Sequence, residues 1–312
     1  MRLGIDLMGG DYAPAEAIKG VEQALVESDL SDVHLVLIGD ESRIKDHASF
    51  DLNSSRLSIV HTDEMIEMAE HPTRAVSQKR NSSISLGLKL LAEGALDAFA
   101  SAGNTGAMMV GSLYTVKAIE GVIRPSLSTL VPKVSGGTGL MLDVGANADV
   151  KPEAMVQFAK LGSLYAQHVL KIDNPKVGLL SIGHEREKGN LLTQAVYPLL
   201  EDNRSINFIG NIEGRDIFQD SCDVIVCDGF TGNVVLKTCE GFFYQLKKRG
   251  VEDEFLDRFN FKDYGGTAIL GVNKPVVIGH GISKSSTFVN MIRLSKRLVQ
   301  SRLIEKIKSS LI

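Results

Sequence analysis

Cysteine is scarce in this 312-residue chain, and long apolar runs are missing. The cysteines are Cys222, Cys227 and Cys239, an odd set without a C-x-x-C pair. With no secretory signal pattern at the start, they point to a reducing, cytoplasmic setting rather than a disulfide framework. No apolar stretch approaches the roughly 20 residues that a membrane-spanning helix needs. Histidines 34, 47, 61, 71, 168, 184 and 280 lack ligand spacing, which argues against a structural zinc. No G-x-G-x-x-G follows the first strand; "GGDYAP" (Gly9–Pro14) stands there, against a standard dinucleotide site. Lys188 precedes Gly189, the reverse of a P-loop, and no G-x-S-x-G elbow occurs. A net charge of −4 argues against general polyanion binding. Linkers, repeats and low-complexity tracts are also missing, so residues 1–312 read as one two-lobed domain.

What the chain does have is alternation. Apolar, β-branched runs predict strands at Leu3–Leu7, Val33–Ile38, Leu57–His61, Ala98–Ser101, Thr129–Val134, Leu140–Val144, Lys176–Ile182, Ile206–Ile209, Val224–Cys227 and Val276–Ile278. Helical patterns fall between them at Pro14–Glu27, Ser82–Glu93, Thr105–Lys117, Pro152–Leu170, Leu191–Glu201, Asn233–Arg249 and Ser285–Ile307. Strand and helix in turn predict an α/β fold with a mainly parallel sheet. The runs on either side of "SGGTG" suit a hairpin within it. Ile44–Ser55 and Val251–Lys262 read as irregular surface segments.

The exits of the strands carry the chemistry. "MGGD" (Met8–Asp11), "SAGNTG" (Ser101–Gly106), "DVGAN" (Asp143–Asn147), "SIGHEREKGN" (Ser181–Asn190), "GNIEGRD" (Gly210–Asp216), "DGFTGN" (Asp228–Asn233) and "GHG" (Gly279–Gly281) combine glycine with small polar residues. In a parallel sheet the carboxyl ends lie along one edge, where ligands bind. Turns expected at the opposite edge, such as Asp29–Asp32, lack the pattern. An edge rich in backbone N–H groups and helix starts suits an anion. Lys188, Arg215, Arg80, Arg124, Lys237 and His184 are the candidate cations.

At these loops the chain resembles the phosphate acyltransferases of bacterial phospholipid synthesis, the PlsX family. The likeness runs nearly end to end. It rests on "GIDLMGGDYAP" (Gly4–Pro14), "HPTRAV" (His71–Val76), "SAGNTGA" (Ser101–Ala107), "RPSL" (Arg124–Leu127), "LDVGAN" (Leu142–Asn147), "EKGN" (Glu187–Asn190), "FIGNIEGRDI" (Phe208–Ile217), "CDGFTGNVVLK" (Cys227–Lys237), "DYGGTAILGV" (Asp263–Val272) and "GHG". The resemblance implies acyl transfer from acyl-acyl carrier protein to inorganic phosphate, giving acyl phosphate, with no cofactor or metal. It also implies a doubly wound fold like isocitrate and isopropylmalate dehydrogenases, two lobes around a cleft, and a homodimer.

Phosphate is then the nucleophile, and Cys227 need not be one. Lys188 and Arg215 are the expected phosphate or oxyanion cations, with Asn190 assisting. His184 is a donor or proton shuttle that the resemblance does not single out. Asp228 orients Lys188 or Asn233, or takes a proton from phosphate. Asn104, Thr105, Gly106, Gly232 and Asn233 offer phosphate contacts at helix starts, and Asn147, Asn211 and Asp11 join the substrate-binding set. For each, the competing role is a helix cap or turn.

An acidic carrier protein calls for a basic surface, for which Gln245–Gly250 and Ile292–Ile312 are candidates. Family members resemble peripheral membrane proteins through a longer helical segment before "YGG"; here Thr238–Asp263 is short, which weakens that expectation. Three readings stay open beside the leading one: acyl transfer from coenzyme A, a catalytically silent scaffold, and an NAD(P)-dependent dehydrogenase. The last lacks the carboxylate set and arginine cluster it needs.

Overall fold

The computed structural model describes residues 1–260 and 264–311. Phe261–Asp263, which close the short segment and open the "DYGG" motif, and Ile312 lie outside the described residues. In chain order the strands are β1 (Arg2–Asp6), β2 (His34–Gly39), β3 (Leu57–His61), β4 (Ala98–Ser101), β5 (Ser126–Pro132), β6 (Thr138–Leu142), β7 (Lys176–Leu180), β8 (Asn207–Ile212), β9 (Val224–Val226), β10 (Thr267–Leu270) and β11 (Val276–Ile278). The helices are α1 (Ala15–Val26), α2 (Glu41–His47), α3 (Pro72–Gln78), α4 (Ser83–Ala92), α5 (Thr105–Gly111), α6 (Pro152–His168), α7 (Leu191–Glu201), α8 (Gly229–Lys248), α9 (Glu254–Asp257), α10 (Ser285–Gln300) and α11 (Leu303–Leu311).

The chain forms two compact units, one of Met1–Lys117 with Lys262–Gln300, the other of Ala118–Phe261 with Ser301–Ile312. In the first, strands run in the order β3-β2-β1-β4-β11-β10. Only β10 in this set is antiparallel to its neighbour β11. The chain leaves β1 for β2 on one side and returns through β4 on the other, so the strand order reverses between β1 and β4, the kind of point where ligands bind in open α/β sheets. β1 and β4 bury their core faces with Leu3, Ile5 and Phe99, against α4 and α10.

In the second unit the order is β5-β6-β9-β7-β8. The β5–β6 pair is the expected hairpin, with Pro132 opposite Thr138, and β6, β9, β7 and β8 run parallel to one another. β9 inserts between β6 and β7, so the reversal here lies between β7 and β9. Phe158 and Tyr165 of α6 fill the core over Leu142, Val224 and Leu179.

Several elements depart from the sequence pattern. α2 lies partly inside the stretch expected to be irregular, because Asp40 caps it by accepting from the Ser42 and Arg43 N–H groups. The expected helix at Thr105–Lys117 narrows to α5 and ends in a π turn, Ser112–Val116. α8 begins at Gly229, one turn before the expected Asn233. The last helix is two helices, parted at Arg302, which sits at φ 52°. Its apolar residues Ile292, Leu294, Leu298, Leu303 and Ile307 are buried, so these positions do not form an apolar face for a partner or lipid. No helix among the described residues is long and apolar enough to cross a membrane.

Candidate active site

The second unit gathers four expected loops at the carboxyl ends of β6, β9, β7 and β8. The Asp143 carboxylate, wholly buried after β6, organises the first. Its Oδ1 accepts from the Leu127 and Ala146 N–H groups at 3.0 and 3.1 Å. Its Oδ2 accepts from the Asn147 N–H and the Asn147 side-chain amide, both at 2.8 Å. Burial raises the Asp143 pKa, while these donors pull it back. The Asn147 amide also donates to the Pro125 carbonyl, so this side chain builds the loop rather than reaching for substrate.

The second loop leads into α8. Asp228 is its N-cap, accepting from the Thr231 N–H at 2.8 Å and hydroxyl at 2.7 Å. This corrects the expectation that Asp228 orients Lys188 or Asn233, because both its oxygens serve Thr231. Two glycines let the helix seat itself. A Cβ at Gly229 would lie 2.6 Å from the Asn147 carbonyl oxygen, and one at Gly232 only 1.9 Å from that of Asp143. Asn233 is left exposed beside Gly145 of the first loop. Cys227 is 2% exposed and its thiol donates to the Asp143 carbonyl. Burial, with Asp228 and Asp143 nearby, pushes its pKa well up, so it stays a neutral thiol.

The third loop, Ser181–Asn190, is held by its backbone. The Ser181 hydroxyl donates to the Lys188 carbonyl at 3.2 Å, and the Asn211 amide donates to the Glu185 carbonyl at 2.8 Å. Asn211 is therefore a brace from β8, and its Oδ1 is buried without a partner. Asn190 caps α7, accepting from the Thr193 N–H at 2.9 Å. Gly189 sits at φ 117°, where a Cβ would also strike the Thr193 hydroxyl at 2.0 Å.

The cations of this edge differ in their partners. Arg186 pairs with Glu201 at 2.8 Å, and Arg215 with Glu213 at 3.1 Å. His184 Nε2 lies 2.7 Å from Asp216 Oδ2, whose pKa is lowered first by this hydrogen bond and then by the Glu213 N–H. Lys188 is exposed, and among the described residues no carboxylate pairs with it. Its positive charge at the mouth of the β7 loop is available to an anion. The roles of Asp216 and Glu213 were missed in the sequence. The signal was there: "EGRD" places both acids around Arg215.

The first unit shows the same division between builders and available groups. Asp6, wholly buried, accepts from the Ser101 hydroxyl at 2.6 Å and the Met8 N–H at 2.9 Å, tying β1 to β4. Burial raises its pKa. The Asp11 N–H donates to the Gly281 carbonyl at 2.8 Å, with its carboxylate exposed. Asn104 is a correction: its Oδ1 caps α5 through the Ala107 N–H, and its amide donates to the carbonyls of Glu67, Met68 and Glu70. Its side chain is no donor to phosphate. Thr105 is exposed at the first turn of α5, and Gly106 lies so close to Pro72 that a Cβ would meet it at 2.4 Å.

Among the described residues no cluster of three or more His, Cys, Asp or Glu stands ready to hold a metal. The fold is an α/β fold with extensive parallel strand pairing, and solved structures share it. A branched-chain phosphotransacylase from Enterococcus faecalis superposes with a TM-score of 0.65 at 17% identity, covering 96% of this chain and 99% of that one. A 4-hydroxythreonine-4-phosphate dehydrogenase from Klebsiella pneumoniae gives 0.58 at 14%, covering 96% and 99%. These likenesses define the fold alone. The family of fatty acid synthesis proteins matches residues 1–306. A phosphate acyltransferase from Desulfitobacterium hafniense is 44% identical, over 100% of this chain and 98% of that protein. The chain belongs to this phosphate acyltransferase family, known as PlsX.

Proposed function

We propose that this chain transfers a fatty acyl group from the thioester of acyl-acyl carrier protein to inorganic phosphate. The observation that carries the reading is the end-to-end likeness to phosphate acyltransferases. A phosphate oxygen attacks the thioester carbonyl, the C–O bond forms and the C–S bond breaks. The products are acyl phosphate and the free carrier thiol. An ordinary thiol has a pKa of about 8.5, so its thiolate leaves with little help from an acid. The protein's task is to hold two substrates and to stabilise charge.

Lys188 is assigned to phosphate or to the oxyanion, because among the described residues its ammonium has no carboxylate partner. Asn233, exposed at the first turn of α8, and the free amide end of Asn190 are assigned to phosphate. Arg215, half-compensated by Glu213, assists from the β8 loop. His184 has its Nε2 engaged by Asp216, which suits a positioned donor better than a free base. Asn147, Asn211, Asp228 and Gly232 shape the loops that carry these groups. On the first unit, Thr105 and Gly106 present the start of α5 and remain proposed phosphate contacts, with Asp11 beside Gly281.

The same reading assigns residues 1–312 to a single two-lobed phosphate acyltransferase domain of the isocitrate dehydrogenase-like class. It acts as a cytoplasmic homodimer without a cofactor. Phe242 and Tyr244, exposed on α8 near Lys247 and Lys248, are the surface proposed for the second subunit or for peripheral membrane contact. The test is release of carrier thiol from long-chain acyl-carrier protein. Phosphate-dependent release, with acyl-coenzyme A a poor donor, is expected. Release only from acyl-coenzyme A moves the donor to coenzyme A, and no release from either overturns the reading.

A further inference from the structure

The first unit holds a cavity of about 430 Å³ among α3, α4 and the end of α5. Its volume lies in the range of small-molecule sites, about 300–1,000 Å³. None of its lining residues belongs to the strand-end loops assigned to acyl transfer. Val76 and the Tyr114 ring give it an apolar wall, backed by the wholly buried Leu88, and Arg80 and Lys89 stand in the same lining. No lining residue is acidic. Among the described residues neither cation pairs with a carboxylate; the Arg80 Nε donates to the Ser77 carbonyl. By contrast, nearby Lys79 is neutralised by Glu70 at 2.5 Å. Tyr114, 70% exposed, is carried by the π turn at Ser112–Val116. Such turns are rare and concentrate at functional sites. Gly111 of α5 completes the floor, where a Cβ would meet Leu88 at 2.5 Å.

An apolar wall beside two uncompensated cations fits one ligand chemistry: an alkyl chain that ends in an anion. We propose that this cavity binds an anion-headed amphiphile. The chain lies against Val76 and Tyr114, and a phosphate or carboxylate head is held by Arg80 and Lys89. A fully apolar ligand would gain nothing from the two exposed cations. A bare anion would leave the wall wet. An acyl phosphate and a free fatty acid both carry this chemistry and differ in the head group.

The test is calorimetric titration of the full chain with dodecyl phosphate and, separately, dodecanoate, each below its micelle concentration. Dodecanol and inorganic phosphate are the controls. Saturable binding of one or both anionic amphiphiles is expected, at least about tenfold tighter than either control. Tighter dodecyl phosphate would mark the acyl phosphate as the source, and equal or tighter dodecanoate the fatty acid. In the double variant Arg80→Gln/Lys89→Gln, affinity should fall about tenfold and its salt dependence should vanish. Ser77→Trp, on an exposed position of the lining, should block the cavity while the thermal melt stays that of the wild type. No binding, equal binding of dodecanol, or unchanged affinity in the double variant would overturn the proposal. Because the readout is binding, it can fail while acyl transfer stands, and the reverse.

Discussion

Replacing Gly232 with alanine should damage both folding and turnover, and the structure sets the scale. The new methyl would stand 1.9 Å from the Asp143 carbonyl oxygen and 2.9 Å from the Cys227 sulfur. Carbon atoms of side chains do not approach a carbonyl oxygen closer than about 3 Å, so the start of α8 must shift by roughly 1 Å. Neither neighbour can yield, since Asp143 is pinned by four donors and Cys227 closes a buried strand. Overpacking of this kind costs about 1–3 kcal/mol. The shift also carries Asn233 off its position, and a displacement near 1 Å can lower turnover about 100-fold. Gly241 is the control, because it lies on the same helix with open space where its Cβ would go. Alanine there should stabilise by about 0.5–1 kcal/mol. Urea unfolding monitored by circular dichroism gives the stabilities, and phosphate-dependent thiol release gives the rates. If Gly232→Ala unfolds at the wild-type midpoint and turns over normally, the seating of α8 on the β6 loop is wrong.

Three further outcomes follow from the same geometry. Lys188→Ala should lower kcat/KM by about 100-fold or more without moving the urea midpoint, and near-normal turnover would remove Lys188 from the site. Cys227→Ala should keep turnover within a few-fold; complete loss in a folded variant would restore a covalent acyl-enzyme. Asp216 has a folded pKa below its unfolded value, so its contribution is present above about pH 4 and is lost as pH falls through the folded pKa. The stability gap between wild type and Asp216→Asn should therefore be open at pH 7 and close in acid. A gap that widens in acid would contradict the His184–Asp216 pair.

Strand exits were legible because each is a local pattern: an apolar run, then glycine beside a small polar residue. The boundaries that depend on distant neighbours were not. α8 starts at Gly229 because Asp228 caps it, yet "GFTG" carries little helix propensity of its own. β10 was missed because four residues between glycines hold no period to read, and its place is set by pairing with β11. Pairing also decides the site. His184 meets Asp216 across 32 residues because β7 and β8 are adjacent parallel strands. Asn211 supports Glu185 for the same reason. Asn104 and Asp228 were read as ligand-facing, although Asn and Asp before a helix are equally cap signals. Only their hydrogen bonds decided between the two roles.

In the proposed reaction, this division would let an edge so rich in carboxylates receive phosphate. Asp143 meets its acceptor needs with four N–H groups, and Asp228 meets its own with Thr231. Both carboxylates are turned inward, and burial still raises the Asp143 pKa. Glu213 and Asp216 are matched by Arg215 and His184. What faces outward is the surplus: the Lys188 ammonium, the Asn233 amide and the first turns of α7 and α8. In the proposed reaction phosphate is the nucleophile, and Cys227 beneath this edge is held as a neutral thiol. The division also makes the two classes of residue separable. Removing a builder such as Asp143 should lower stability and turnover together, since its donors lose their acceptor. Removing an outward group such as Lys188 or Asn233 should lower turnover alone, since nothing in the fold leans on it.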